Sequence, residues 1–345
     1  MTADDLDLIL QAYHSLFDLR PLLFFDEIQN IEGWEHFARR LANQKYNIYI
    51  TGSNAKMLSR EIATTLGGRF WNKDIYPYSF AEYLNARDII LSKNWMYGKQ
   101  AAEVSKAFND YFLYGGFPEL TDVIAKRVWL NDIYSKIFFS DLIVRNKVRN
   151  EEALGLLVRR LAENVKQPVS YTRLANLISS IGIKISKATV IEFIRYLKES
   201  CLIFPIENYA AKFAERNSNM KHYFIDNGLL SIFLLDGNTS LLENIVAIHL
   251  YKRYGAQLYF YNQNIEVDFV IPEAKTAIQV SYSLMDETTC RREVEGLIKL
   301  NRVFPMDNMC IITRDEERII THESGVSIHV IPVWKWLLKE EPLRT

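Results

Sequence analysis

Apolar positions within residues 3–19 recur at helical spacing. After Pro21 the run LLFF (22–25) is unbroken, the pattern of a parallel strand covered on both faces. Asp26 closes that strand. The segment WEHFARRLANQ (34–44) returns to helical spacing, and YNIYITGSN (46–54) predicts a second buried strand ending in a polar turn. Strand, helix, strand in this rhythm is an α/β layer. In open α/β sheets ligands gather outside the carboxyl ends of the strands, and Asp26, Glu27, Ser53 and Asn54 all fall on that edge.

From about residue 80 to 145 the pattern is helical and aromatic-rich, broken by YGGFPEL (114–120), and reads as a helical lid or connector. Leu154, Leu157, Val158, Leu161 and Val165 then form one helical stripe. SYTRLANLIS, the turn SIGIKI and SKATVIEFIRYLKES follow, and after them the apolar CLIFPI. Three helices ahead of a strand pair is the order of a winged helix-turn-helix, with Ser186 as N-cap of the third helix. The rhythm changes once more after residue 240. LLENIVAIHLYKRYG predicts a helix ended by Gly255. The strands QLYFYN, IEVDFVI and AIQVSYS, a helix around 287–301, and the strands MCIITRD and IHVIPV complete a second α/β region.

Composition narrows the classes. A chain of 345 residues with 49% hydrophobic content can bury a sizeable core and is long enough for two or three domains. A formal net charge of −1 argues against a strongly basic nucleic-acid protein, although a basic patch sits inside it: residues 145–199 hold 11 Lys or Arg against 5 Asp or Glu. Lys184, Lys187, Arg195 and Lys198 gather around the third helix of the winged-helix pattern, where a recognition helix meets phosphates and base edges. DNA is therefore a candidate partner, against the alternative that these lysines are merely solvated. Cys201, Cys290 and Cys310 show neither a disulfide framework nor zinc-ligand spacing, which fits a reducing, cytoplasmic setting. No apolar run approaches the roughly 18 residues of a membrane span, and the acidic start MTADDLDL is unlike a signal peptide, so no membrane role is expected.

The motifs FFDEIQNIEGWE, ITGSNAKML and LGGRFWNKDIYPYSFAEYL, in that order, resemble a large prokaryotic family of AAA-type ATPases. The likeness continues through YGGFPEL, HYFIDNGLL, LLENIV and EVDFVI, which resemble that family's poorly characterised C-terminal region, similar to PD-(D/E)XK nucleases. The resemblance implies four parts: an ATPase core over 1–84, a helical lid over 85–145, a winged helix over 146–212 and a nuclease-like α/β domain over 213–345. It assigns Asp26 and Glu27 to the Walker B pair, Asp26 orienting Mg²⁺ through water and Glu27 polarising the attacking water. Asn54 matches the sensor position, with Ser53 beside it at the strand tip, Arg69 matches an arginine finger, and Arg60 is a weaker choice for that role. The alternative for the Asp-Glu dipeptide alone is a helix cap.

The family's Walker A loop, GxxxxGK[ST], is missing from the sequence. The Gly98-Lys99 pair is followed by Gln100, has Lys93 where the first Gly should be, and lies on the wrong side of Asp26. The expectation is a chain that begins inside an ATPase domain, through a truncated start in preference to gene decay or a true variant. Mg-ATP is then the cofactor of full-length relatives, with no tight binding to this chain. The absent P-loop strand leaves a sheet edge in need of a protein partner or a second copy.

In the nuclease-like part the resemblance assigns the metal-holding positions to Glu243 and Asp268, with Gln279 and Ser281 where Glu-x-Lys belongs. Ser281 lacks the cation that steadies a developing charge, and Lys275 is the candidate rescue. The expected outcome is a binding fold rather than a nuclease. Glu266 and Asp268 alternatively just alternate outward from a strand.

Overall fold

A computed structural model describes residues 2–52, 65–68, 70–212, 216 and 218–339. The chain divides into two compact units, Met1–Ile75 with Tyr196–Cys201, and Tyr76–Arg195 with Leu202–Thr345.

In the first unit, helix α1 (Ala3–Leu16) starts at a capping box in which the Asp5 carboxylate accepts from the Thr2 N–H at 2.7 Å. Strands β1 (Leu23–Phe25) and β2 (Ile48–Ile50) flank helix α2 (Trp34–Asn43) and pair in parallel, Leu23 opposite Ile48 and Phe25 opposite Ile50. Side chains alternate across the pair. Leu23, Phe25, Ile48 and Ile50 pack beneath Trp34, Phe37, Ala38 and Leu41 of α2 and Leu6 of α1. Phe24 and Tyr49 stack on the other face with ring centroids 4.9 Å apart, and both are exposed, so this pair is covered on one face and not on both as its unbroken apolar run predicts.

The second unit opens with helices α3 (Phe80–Ala86), α4 (Lys99–Tyr114) and α5 (Lys126–Lys136), the last continuing as a π-helical stretch, Ile137–Val144. Helices α6 (Glu151–Glu163), α7 (Tyr171–Ser179) and α8 (Lys187–Glu199, in this unit as far as Arg195) follow, with the short strand β3 (Val169–Ser170) before α7. Ser186 caps α8 as its sequence predicts, its Oγ accepting from the Thr189 N–H at 3.1 Å. The helices give way to the antiparallel pair β4 (Ile203–Asn208) and β5 (Asn219–Phe224), then to α9 (Asn227–Ser231) and α10 (Asn238–Tyr254). Strands β6 (Tyr259–Asn262), β7 (Glu266–Ile271) and β8 (Thr276–Val280), helix α11 (Glu287–Val303), strands β9 (Asn308–Thr313), β10 (Arg318–Thr321) and β11 (Ser327–Pro332), and helix α12 (Val333–Lys339) complete the unit.

Among the described residues nine strands join in one mixed sheet, in the order β10-β11-β9-β8-β7-β6-β4-β5-β3. The sheet is therefore continuous from the helical middle into the last part of the chain, because β4 pairs with β5 on one side and runs parallel to β6 on the other. Fold class is α/β. One face of the β6–β9 region is covered by α11, through Val294, Leu297, Ile298 and Leu300 against Val267, Val270, Ala277 and Ile311.

Two motifs that punctuate the sequence interlock here. The Asp226 carboxylate accepts from the Gly116 N–H at 2.7 Å and from the Gly228 N–H at 2.8 Å. A Cβ on Gly115 would stand 1.9 Å from the Asp226 Oδ1, and one on Gly228 would stand 2.1 Å from the Tyr114 carbonyl oxygen. Gly115 leaves room for the Asp226 carboxylate, and Gly228 for the Tyr114 carbonyl. Asn244 extends the network, exchanging two hydrogen bonds with the Phe224 backbone and donating to the Asn227 side chain.

Candidate functional site

Asp26 follows the last residue of β1, and Thr51 the last residue of its parallel neighbour β2. The Thr51 hydroxyl donates to the Asp26 carboxylate, and the Glu27 N–H donates to the same hydroxyl at 3.3 Å. Pairing persists to this point, with the Thr51 N–H donating to the Phe25 carbonyl at 2.8 Å. Glu27 leaves the strand in the left-handed region, φ 50° and ψ 40°, which turns the chain sharply at the strand tip. Two carboxylates and a hydroxyl thus share the carboxyl edge of a parallel pair. That donor set suits one side of a hydrated Mg²⁺. Thr51 was not singled out in the sequence, although it stands directly between β2 and Ser53. Ser53, Asn54, Arg60 and Arg69 lie outside the described residues.

The basic candidates occupy one helix and the turn before it. Lys184 precedes α8, Lys187 opens it, and Arg195 and Lys198 fall in its second half; all four are exposed. Arg195 stands 3.9 Å from Glu192.

The nuclease-like positions converge, around a residue that sequence reasoning missed. The Lys221 ammonium on β5 is fully buried and lies 3.1 Å from Asp268 Oδ1, 3.2 Å from Glu243 Oε1 and 3.6 Å from Glu266 Oε1. Glu243 arrives from α10, and Glu266 and Asp268 from alternate positions of β7. The register shifts between Tyr259 and Tyr261 of β6 while β7 advances from Val270 to Val267, a bulge at Asp268 and Phe269 that re-aims the carboxylate. Tyr223 donates its hydroxyl to Glu243 at 2.7 Å. The second Asp268 oxygen accepts from the Val280 N–H at 2.9 Å.

Gln279 does not face a ligand. Its side-chain oxygen accepts from the Asp268 N–H at 2.9 Å and its amide donates to the Glu266 carbonyl at 3.0 Å, which continues the β7–β8 ladder beyond the Phe269–Ile278 pair. Ser281 donates to the Ser283 carbonyl. Lys275 is exposed and stands 3.5 Å from Asp307, at the far end of β8 from the cluster. The signal for Lys221 was present in the sequence: a lysine inside the apolar strand MKHYF is expected only where carboxylates meet it.

Burial sets the electrostatics of this cluster. Desolvation alone lowers the pKa of Lys221, but Glu243, Asp268 and Glu266 outweigh it and raise the group, so it stays charged. Desolvation pushes Glu243 up to about 7, with Lys221 opposing. Glu293 of α11 is also raised by burial, while the adjacent Arg292 pairs with it at 2.6 Å. The cluster floors a cleft of about 700 Å³ whose walls include Lys166, Thr239, Ser281, Arg292 and Lys299.

The start of the chain is AAA-like by comparison with known families. Residues 1–84 match the model of an AAA domain, and residues 105–240 match a domain of unknown function, DUF8612. The chain is 33% identical to an uncharacterized protein of Methanocaldococcus jannaschii over 97% of its own residues and 78% of the relative's. It is 30% identical to an uncharacterized protein of Haemophilus influenzae over 86% of its residues and 74% of the relative's. The chain belongs to the family of these two proteins.

Proposed function

We propose that this protein is a nucleotide-dependent switch of the AAA ATPase type, in which residues 1–84 contribute the Walker B side of an Mg-ATP site. The observation that carries the reading is the shared hydroxyl of Thr51, which ties Asp26 to the start of Glu27 at the tips of two parallel strands. Mg²⁺, when bound with ATP, neutralises charge that builds between the β- and γ-phosphates. Asp26 orients its water shell, and Glu27 polarises the attacking water. Ser53 and Asn54 sense the γ-phosphate, and Arg69 serves as arginine finger ahead of Arg60. No GxxxxGK[ST] occurs in the 345 residues, and in this reading the chain alone neither binds ATP tightly nor hydrolyses it. In this reading the output parts are the helical lid (85–145), the winged helix (146–212) and the nuclease-like domain (213–345), and the protein acts in the cytoplasm. The test is Mg-ATP calorimetry on this chain and on the same chain preceded by a strand–GxxxxGK[ST]–helix segment. Micromolar binding should appear in the second only.

A second reading is a non-enzymatic DNA- or protein-binding module. It is favoured by the exposed Lys184, Lys187, Arg195 and Lys198 on and before α8. A metal-dependent nuclease is the third, and it requires metal held by Glu243 and Asp268. Plasmid nicking with Mg²⁺ or Mn²⁺ that vanishes in Asp268→Ala would establish it.

A further inference from the structure

The resemblance to PD-(D/E)XK nucleases implies a divalent cation between Glu243 and Asp268. The residues around that point do not fit one. The Asp268 Oδ1 and the Glu243 Oε1 both face the Lys221 ammonium, at 3.1 and 3.2 Å. The remaining Asp268 oxygen accepts from the Val280 N–H, and the same Glu243 oxygen also accepts from Tyr223. Gln279, the next oxygen donor in the motif, is committed to the backbone of residues 266 and 268. With Lys221 in place, no group of three His, Cys, Asp or Glu among the described residues is arranged to hold a metal.

Lys221 cannot withdraw easily from this position. It is fully buried on β5, whose Ile206–Lys221 pairing with β4 lies inside the nine-stranded sheet, and its ammonium also stands 5.6 Å from the Phe260 ring centroid. An ammonium and a divalent ion would compete for the same carboxylate oxygens, and at this separation they repel in a medium of low dielectric. A tethered cation needs no loading and is not removed by chelators.

We propose that Lys221 takes the place of the divalent metal, so that Glu243, Glu266 and Asp268 form a permanently filled, metal-independent floor for the cleft. The inference is independent of the nucleotide reading, because it concerns a different unit and different carboxylates. The metal site is latent, and removing the Lys221 side chain exposes it.

Mn²⁺ titration of the full chain, followed by electron paramagnetic resonance of the free ion, tests this in the wild type, Asp268→Asn, Lys221→Ala, and Lys221→Ala with Asp268→Asn. The wild type and Asp268→Asn should bind Mn²⁺ alike, and the wild-type Tm should be the same in EDTA as in Mn²⁺. Lys221→Ala should gain one Mn²⁺ site at least tenfold tighter than any in the wild type, with a Tm that is low in EDTA and recovered by Mn²⁺. The double variant should lack both the site and the recovery. Any binding at Asp26 and Glu27 is insensitive to Asp268→Asn and is separated in that way. A wild-type Mn²⁺ site that Asp268→Asn abolishes overturns the proposal, as does a folded Lys221→Ala with no new site. If Lys221→Ala fails to fold in EDTA, refolding it in Mn²⁺ asks the same question. Recovery that depends on Asp268 supports the proposal, and no recovery overturns it.

Discussion

The Lys221 Nζ and the Asp268 Oδ1 stand 3.1 Å apart inside the sheet, one contributed by β5 and the other by a bulge in β7, two strands that are not neighbours. Long-range pairs of this kind tie the middle of the chain to its last third. They also explain why an ionic cluster is tolerated in a core. Each charge has a partner, and the second Asp268 oxygen has a hydrogen bond.

Tyr223 should be the most sensitive neutral member of this cluster. Its hydroxyl is fully buried and donates to Glu243, and burial together with the adjacent carboxylates raises its pKa, so it remains a donor at any physiological pH. Tyr223→Phe should cost about 1–3 kcal/mol in urea unfolding, the range for leaving a buried acceptor unsatisfied. A cost below about 0.5 kcal/mol would mean that Glu243 is held by other means.

The glycines of the interlock are predicted to be intolerant. Gly115→Ala and Gly228→Ala each drive a methyl group into an atom it cannot displace, the Asp226 carboxylate and the Tyr114 carbonyl, and should destabilise by more than about 3 kcal/mol or prevent folding. At Gly98, nothing lies within 4 Å of an added Cβ and the backbone is extended, so Gly98→Ala should change stability by less than about 1 kcal/mol. Parallel thermal melts of the three variants provide the comparison.

A pH dependence follows from His249, which packs against Trp336 with ring centroids 4.7 Å apart. Burial, with Lys252 and Arg253 nearby, lowers its pKa from 6.5 to about 4. The unfolded chain therefore binds the extra proton first, and stability present above pH 6.5 is lost as pH falls toward 4. Asp226, raised by burial to about 6, and Glu243, raised to about 7, act in the opposite sense, with stability lost as pH rises through those values. Comparing His249→Phe with the wild type isolates the histidine. The wild-type stability minus that of the variant should fall by about 2 kcal/mol between pH 7 and pH 5. Parallel pH profiles would refute the assignment.

If α8 meets DNA, affinity should fall linearly on a log–log plot against salt, and Lys187→Ala with Arg195→Ala should flatten the slope by about 2. Filter binding or anisotropy between about 50 and 200 mM salt measures this directly. An unchanged slope would leave these exposed cations as solvated charge.

Much of the architecture was legible in the sequence. Apolar runs marked β1 and β2, the segments QLYFYN, IEVDFVI, AIQVSYS and MCIITRD marked β6 to β9, and Ser186 marked the start of α8. The continuity of the sheet was not legible. Nothing local states that β4 will pair with β5 on one edge and β6 on the other, since strand neighbours are chosen by packing across long sequence separations. The same limit hid the cluster. Glu243 and Asp268 were found by motif, but Lys221 has no motif of its own, and Gln279 looked like a ligand because its role in the ladder depends on the bulge at Asp268. Lys275 was the nearest lysine in sequence, and the strand β8 carries it to the opposite end.

The account rests on Asp26 and Glu27 serving a triphosphate, and Mg-ATP calorimetry tests it most directly. The 345-residue chain should give no saturable heat in the micromolar range. The chain joined to a GxxxxGK[ST] segment should bind ATP, lose Mg²⁺-dependent affinity in Asp26→Asn, and keep binding without turnover in Glu27→Gln. Micromolar binding by the chain alone, or binding and turnover indifferent to both substitutions, would contradict it.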